Sequence, residues 1–365
     1  MNKKIKVAFF TAQYSLTGVP LAQIRLAKLF LKKGYDVDFI LGSVPKGLIL
    51  PELEGINIID LSRRRVLAMF GVIRKYLKRV KPDIIISAED HMNIVVLLSA
   101  WLAKSKAKIS ASFRISATRV YSGKVLSKSW MMQKALGIVY HRADILACVS
   151  KDMALEYNTM YKTNKFTSIY NVIVDSDSRV RMHESVDEPW LVNKTTPVVI
   201  SAGTLTKRKG FDVLIEAMKD VVKTVDAKLI ILGEGYQRDS LQKMIDDYDL
   251  NQNIKLVGHK SNPLKYYYHS DIYALSSYSE GLPNVLIEAM MCGCTPVATD
   301  CPTGPREVIQ YDKYGFLVPM GDSISMSEAI KSALKKSISQ ELLTEAVKPF
   351  TEDEVFSRYK EILNL

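Results

Sequence analysis

Two doubly wound α/β units in tandem, each built on a parallel sheet (Rossmann-like), are the architecture this sequence predicts. Three observations carry that expectation. Short β-branched runs alternate with amphipathic stretches along the 365 residues, the alternation breaks once near residues 171–197, and a second series of the same units follows. Alternation of this kind implies crossover helices, which make neighbouring strands parallel.

In the first series, KIKVAFF is followed by VPLAQIRLAKLFLKKG, whose apolar positions recur at helical spacing and whose Gly34 is a helix stop. YDVDFILG, INIIDL, PDIIIS, AKISASF, ADILACVS and KFTSIY read as further short strands separated by helical segments. The break, NVIVDSDSRVRMHESVDEPWLVNKTTP, is polar and contains proline, as a linker does. The second series reads PVVISAG, the helix GFDVLIEAMKDVVKT, AKLIILGEG, a helix over 236–249, NIKLVGH, a helix over 262–269, DIYALSS, a helix from about Pro283, TPVATD and GFLVP. The expected domains are therefore 1–175 and 176–351. Open α/β sheets bind ligands beyond the carboxyl ends of their strands, so two such units are expected to place the chemistry in a cleft where those ends face each other.

With 47% hydrophobic and 24% charged residues, the chain is neither disordered, collagen-like nor a disulfide-stapled miniprotein. Its net charge of +11 is unevenly spread: residues 1–180 hold 29 Lys and Arg against 13 Asp and Glu, a net +16, which leaves 21 against 26, or −5, for the rest. A basic half of this kind suits an anionic partner: nucleic acid, acidic headgroups or a phosphorylated substrate. No helix-turn-helix, zinc finger or RNP-type aromatic string is visible, so nucleic acid is set aside. Cys148, Cys292, Cys294 and Cys301 form no CxxC pair and lack accompanying histidines, so they read as buried, inert thiols in a reducing cytosol. The amino terminus runs into a strand-like segment without signal-peptide architecture, and the longest apolar run, NIVVLLSAWLA, falls far short of the roughly 20 residues of a membrane span. Any membrane contact is expected to be peripheral.

The most specific string is SYSEGLPNVLIEAMMCGCTPVATDCPTGPREVI at 277–309. Glu280 ends a loop, Gly281 permits a tight turn, and Pro283 fits a first helical turn, where its missing N–H is no loss. Gly281, Leu282, Pro283, Asn284 and Val285 lead into that turn, whose free amides and helix dipole favour an anion. Glu288 lies eight residues beyond Glu280, and both carboxylates can accept hydrogen bonds from the hydroxyls of one sugar-containing ligand. A solvated pair of helix-end carboxylates is the plainer alternative, which the surrounding Gly, Pro and small residues argue against. The second string is SAGTLTKRKGFDVLIEA at 201–217: a strand ends at Gly203, Gly210 opens a helix, and Lys207, Arg208 and Lys209 lie between them, where a diphosphate could be clamped. No DxD pair stands at a strand end, so the metal-dependent alternative finds no motif.

At these strings the chain resembles the retaining glycosyltransferases of the GT-B fold, in the large family numbered four. The signature is two glutamates separated by seven residues in an EGLP-type context, and Glu280 to Glu288 fits it. The resemblance is strong over the second half and rests on the general βα layout in the first. It implies that Glu280 contacts the donor sugar and Glu288 the nucleotide ribose. Lys209 matches the family lysine at the diphosphate, but Thr204 stands where an arginine is expected, which leaves Arg208 to supply the guanidinium. LGEGYQR at 232–238 has Gly233 and Gly235 but no third glycine for a dinucleotide fingerprint and reads as a βα turn approaching a ligand, and the resemblance further implies base recognition through the main chain of Val257 to Lys260, including His259. CPTGPRE at 301–307 is similar to members that use UDP-sugars, often N-acetylhexosamines.

From the first half the resemblance implies a glycine-rich loop at the donor phosphate, of which Gly18 remains, and places Arg114 in the cleft; Glu89, Asp90 and His91 of AEDHMN, at the carboxyl end of the fourth strand, are also positioned for a ligand, with Asp90 as a helix N-cap and a structural His91 as the plainer alternative. Arg114 stands where many relatives carry a histidine. Arginine cannot act as a base at neutral pH; in front-side transfer the leaving diphosphate takes the acceptor proton, and Arg114 would stabilise phosphate charge. The last helix, about 352–365, is expected to rejoin the first domain. The segment LSRRRVLAMFGVIRKYLKRVKPD at 61–83 mixes cations with apolar residues in a pattern that suits an anionic bilayer, and Arg119 and Lys124 are placed on a loop that could reach a lipid-linked acceptor.

The resulting expectation is a retaining, metal-independent transferase with no cofactor. It would move a hexose or N-acetylhexosamine from a nucleotide diphosphate sugar, UDP-linked by preference, to a glycan acceptor, lipid-linked, in bacterial-type surface polysaccharide synthesis at the inner face of the cell membrane. The alternatives are a nucleotide-sugar epimerase or phosphorylase of the same fold, and a non-catalytic sugar-nucleotide-binding protein.

Overall fold

The computed structural model describes residues 4–14, 18–45, 53–121, 124–311 and 313–365. They divide into two compact units, residues 1–172 with 352–365, and residues 173–351. The first holds seven strands, β1 (Lys6–Gln13), β2 (Asp36–Ser43), β3 (Ile56–Asp60), β4 (Ile84–Ala88), β5 (Lys108–Phe113), β6 (Ile145–Cys148) and β7 (Phe166–Ser168). Their order is β3-β2-β1-β4-β5-β6-β7, all parallel. The second holds β8 (Val198–Ala202), β9 (Lys228–Leu232), β10 (Ile254–Gly258), β11 (Ile272–Leu275), β12 (Thr295–Thr299) and β13 (Phe316–Val318). Here the order is β10-β9-β8-β11-β12-β13, again parallel.

Burial explains why these runs are strands rather than helix fragments. Central strands are covered on both faces and read as continuous apolar runs, so Val7, Ala8, Phe9 and Phe10 are all fully buried. Of the edge strands, β10 alternates buried and half-buried residues, while β3 is buried only at Ile56 and open beyond it. In the first unit Phe30, on the helix Gly18–Lys32, meets Phe9 edge-on at 5.8 Å. The same ring meets Phe356 and Tyr359 of the helix Glu352–Leu363 at 5.5 and 5.8 Å, which docks that helix on the first unit. Ion pairs Lys32–Glu352 (2.8 Å) and Lys33–Asp353 (2.9 Å) flank the contact but are partly exposed and add about 1 kcal/mol at most apiece.

The stretch 171–197 is folded rather than a bare tether. Ile173 and Val174 donate their amides to Phe350, and two short helices, Ser176–Arg181 and Pro189–Val192, are capped by Asp175 and Glu188. Its polar residues go into those caps and into ion pairs such as Glu188–Lys255 (2.8 Å), which is why composition alone suggested a linker. Other bounds shift slightly: the helices expected over 236–249 and 262–269 are Arg238–Asp247 and Leu264–Tyr268.

In each sheet the strand order reverses once, between β1 and β4 and between β8 and β11. Loops leaving the carboxyl ends of such a pair diverge to opposite faces and open a crevice, the usual ligand position in this class.

Candidate functional site

The two strings singled out in the second half leave the two strands at its switch point. Lys207–Lys209, expected as an open loop, is a turn of 3₁₀ helix after β8, and Glu280 follows β11. The loops are stapled together: the Tyr278 amide donates to the Arg208 carbonyl (2.8 Å) and Ser276 Oγ to the Lys209 carbonyl (2.9 Å). Lys209 Nζ lies 2.7 Å from Glu280 Oε1, and both side chains are only 10% exposed. Ser277 Oγ donates to the same oxygen (2.6 Å), and Arg208 Nη1 donates to the Ser279 carbonyl (2.6 Å) while standing 3.5 Å from Glu280 Oε2. Thr204, where the family arginine was expected, is exposed.

Burial alone would push the Glu280 carboxyl up, but Lys209, Ser277 and Arg208 together hold it below the ordinary carboxylate range. It is therefore ionised at neutral pH, and two cations stand around it. Thr303 Oγ1 donates to the Glu280 carbonyl from a left-handed backbone (φ 62°). Glu288 is buried on the helix Asn284–Met291, and the field of Glu280 and Glu288 together helps raise the pKa of Tyr273 after burial has done most of it.

Pro283 is the cap of that helix rather than part of its first turn. The turn offers fewer free amides than expected, because Asn284 donates to the Leu282 carbonyl (2.9 Å) and Leu286 to that of Pro283 (3.0 Å). Val285, half-buried, is the second residue of that helix, and Gly281 and Leu282 form the approach. The glycines have a packing role. A Cβ at Gly233, which has φ +150°, would stand 1.9 Å from the Gly203 carbonyl oxygen. Backbones at the ends of β8, β9 and β10 thus close up, with the Gly203 amide on Leu232 and the Gly233 amide on Gly258 (2.9 Å each). Val257 is half-buried there, His259 is exposed, and Lys260 is engaged by Asp187 (3.1 Å).

At the switch point of the first unit, Glu89 follows β4 with φ +75°, a conformation that is strained for a non-glycine residue. It caps the helix Asp90–Ala103 in place of Asp90, which is the first helical residue. His91 Nε2 lies 3.8 Å from Glu89 Oε2, and burial, aided by Lys128, lowers the histidine's pKa, so it is neutral at pH 7. Arg114, just past β5, is within the field of Glu89 and Tyr359; burial works against its charge, and among the described residues its Nε has no hydrogen-bond partner. The structure thus gathers Glu89, His91 and Arg114. Asp90 is buried beneath them, accepting from Tyr121 (2.5 Å) and Tyr157 (2.9 Å), and burial pushes its pKa up to about 6 against the pull of those hydroxyls. Sequence reasoning could not find these two tyrosines or Ser277, since no local pattern announces a partner across separate elements.

Gly18 starts its helix at φ +63° with open space where a Cβ would go, and residues 15–17 of the same loop lie outside the described residues. Arg119 is exposed on the short helix Ala117–Val120 rather than on a loop. That helix is held by Glu156, which accepts from Ser116 Oγ (2.6 Å) and the Ala117 amide (2.9 Å). In the 61–83 segment, the helix Phe70–Val80 turns Ile73, Tyr76 and Leu77 into the domain and leaves Arg74, Lys75, Lys78 and Arg79 outside. Leu67, 82% exposed, is the large apolar side chain it leaves open. All four cysteines are buried. Among the described residues no helix is long and apolar enough to cross a membrane.

Comparison with known proteins bears on both units. The family model described as Glycosyltransferase Family 4 matches residues 18–176, and that described as Glycosyl transferases group 1 matches residues 183–349. An uncharacterized glycosyltransferase of Methanocaldococcus jannaschii is 31% identical over 67% of this chain and 65% of its own length. The N-acetylgalactosamine-N,N'-diacetylbacillosaminyl-diphospho-undecaprenol 4-alpha-N-acetylgalactosaminyltransferase of Campylobacter jejuni is 33% identical over 55% of this chain and 53% of its own. The chain thus spans about two thirds and half of these relatives. Among solved structures, Anabaena HepE in complex with UDP superposes with a TM-score of 0.80 at 18% identity, covering 99% of this chain and 100% of that one, a likeness of GT-B fold.

Proposed function

The chain belongs to the glycosyltransferases of group 1, family four, and from that premise we propose that it moves a hexose or N-acetylhexosamine from a UDP-sugar to a glycan acceptor, with retention at the anomeric carbon. The observation that carries this reading is the buried Lys209–Glu280 pair, with Arg208 beside it, at the switch point of the second sheet. Arg208 and Lys209 take the donor diphosphate, Glu288 the ribose and Glu280 the sugar hydroxyls. Without donor, Glu280 occupies the cations; a bound diphosphate takes over that role and leaves the carboxylate to the sugar. The bond from the anomeric carbon to the diphosphate breaks as the acceptor oxygen bonds on the same face. The acceptor's proton passes to the leaving diphosphate oxygen, so no protein base is needed, and the two cations stabilise the charge that develops there. The same charge neutralisation lets the reaction run without a metal or cofactor. Glu89, His91 and Arg114 serve the acceptor or its phosphate.

Support for UDP comes from HepE, whose structures hold UDP and UDP-glucose. Support for a lipid-linked acceptor in surface polysaccharide synthesis comes from the Campylobacter relative's undecaprenol-linked substrate and from a Staphylococcus aureus relative named for capsular polysaccharide biosynthesis. The protein would then work in the cytoplasm, peripherally at the inner face of the membrane. The test is a panel of nucleotide sugars offered with and without glycan acceptors. Acceptor-dependent release of nucleoside diphosphate is the expected result; conversion of a UDP-sugar with no acceptor present would instead assign an epimerase.

A further inference from the structure

A pocket of about 740 Å³ opens at the amino-terminal edge of the first sheet, the end opposite Glu89, His91 and Arg114. It is lined by the approaches to β1, β4 and β5 and by the ends of the helices Phe70–Val80 and Asp90–Ala103. The five residues of β4 separate the two ends by about 16 Å. A ligand here is not the reacting sugar.

Five lysines line the pocket, Lys78, Lys81, Lys104, Lys106 and Lys108, against a single acidic side chain, Asp83. Asp83 already accepts the Lys6 amide at 2.8 Å. Lys108 Nζ donates to the carbonyls of Leu363 and Asn364. The other four are exposed and take no ion pair or hydrogen bond through their ammonium groups among the described residues. Lys81 and Lys104 cap two helices in left-handed conformation, and the carbonyl ends of those helices account for part of their placement. They do not account for Lys106, which follows the helix end, nor for four unneutralised cations around one cavity. Like charges gathered this way repel and are relieved by a polyanion.

We propose that this pocket binds the phosphate oxygens of an anionic ligand. Lysines without arginine favour charge spread over several oxygens in three dimensions rather than a planar carboxylate. The apolar floor, formed by Leu77, Pro82 and Ala103 among others, accepts a hydrocarbon part beside the phosphate. The ligand is therefore the phosphate headgroup of an anionic lipid or a free polyphosphorylated compound. The proposal is independent of the donor chemistry assigned above.

The experiment uses the full chain and two multiple variants: Lys78→Gln, Lys81→Asn, Lys104→Asn, Lys106→Gln in one, and Arg63→Gln, Arg64→Gln, Arg65→Gln, Arg74→Gln in the other. Asparagine tolerates the left-handed positions, and all eight side chains are exposed, so both variants keep the fold. Co-sedimentation with phosphatidylcholine vesicles, with and without phosphatidylglycerol, reads the lipid source; calorimetric titration with tripolyphosphate reads the free one. The lysine variant is expected to lose binding to the anionic vesicles by at least about a hundredfold while the arginine variant retains most of it. Loss of a tripolyphosphate-binding step in the lysine variant, without vesicle binding by any form, would assign a free phosphate ligand. A lysine variant that matches the parent in both measurements, or vesicle binding lost only in the arginine variant, overturns the proposal.

Discussion

The two switch points differ in how they handle charge. In the second unit, Glu280 and Lys209 are buried together with Ser277 and Arg208 arranged around them, and the carboxyl is held below its usual range. In the first unit, Asp90 is buried with the Tyr121 and Tyr157 hydroxyls on its carboxylate, its pKa rises to about 6, and among the described residues Arg114 Nε has no hydrogen-bond partner, near a strained Glu89. The first arrangement has its charges already paired with one another. The second holds charge at a cost in free energy, as groups do where a ligand supplies the missing partner.

The sharpest way to break that contrast is to remove one member of the paired site. Glu280→Gln should lower transfer about a thousandfold in a folded protein, read as kcat/KM with a saturating acceptor. Lys209→Met should cost as much in transfer, and also about 3 kcal/mol of stability in chemical denaturation, because it leaves Glu280 buried with its main partner gone. Next comes Gly233→Ala, where the added carbon meets the Gly203 carbonyl oxygen. It should destabilise the second unit by about 3 kcal/mol, seen as an earlier denaturation midpoint for that unit.

The pH dependence separates the units by sign. Glu280, lowered in the folded state, contributes stability that is present above its unfolded pKa of about 4.3 and fades as pH falls through the lower folded value. Asp90, raised in the folded state, contributes stability that is present below about 3.9 and is lost as pH rises towards and through about 6. Asp90→Asn should therefore flatten the fall in melting temperature between pH 4 and 6 without touching the acid limb below it, as followed by thermal unfolding across that range. The smallest effect is expected for chelation: if Arg208 and Lys209 neutralise the leaving group as proposed, EDTA should change the transfer rate by less than about twofold.

Legibility in the sequence follows the same contrast. All thirteen strands among the described residues sit within runs marked by β-branched and apolar residues, because buried parallel strands advertise themselves locally. The donor-side strings were legible for a related reason: Lys207–Lys209 and Glu280–Glu288 each lie within one loop and the helix after it. The docking of one loop on the other was not, since Lys209 and Glu280 are 71 positions apart and only strand order brings β8 beside β11. In the first unit the working partners are scattered. Tyr121 and Tyr157 reach Asp90 from 31 and 67 residues away, and nothing in either local sequence predicts it. The 171–197 stretch misled for the opposite reason: its polar residues are helix caps and ion-pair partners, which composition cannot tell from a solvated tether.

Calorimetric titration of UDP into the parent protein, Lys209→Met and Glu280→Gln tests the central assignment most directly. UDP carries the diphosphate and ribose but no transferred sugar, so it should need Lys209 and not Glu280. Lys209→Met is expected to weaken UDP binding at least about tenfold, whereas Glu280→Gln should bind UDP within about threefold of the parent and yet transfer sugar about a thousandfold more slowly. Parent-like UDP affinity in Lys209→Met, or full transfer by Glu280→Gln, would contradict that assignment.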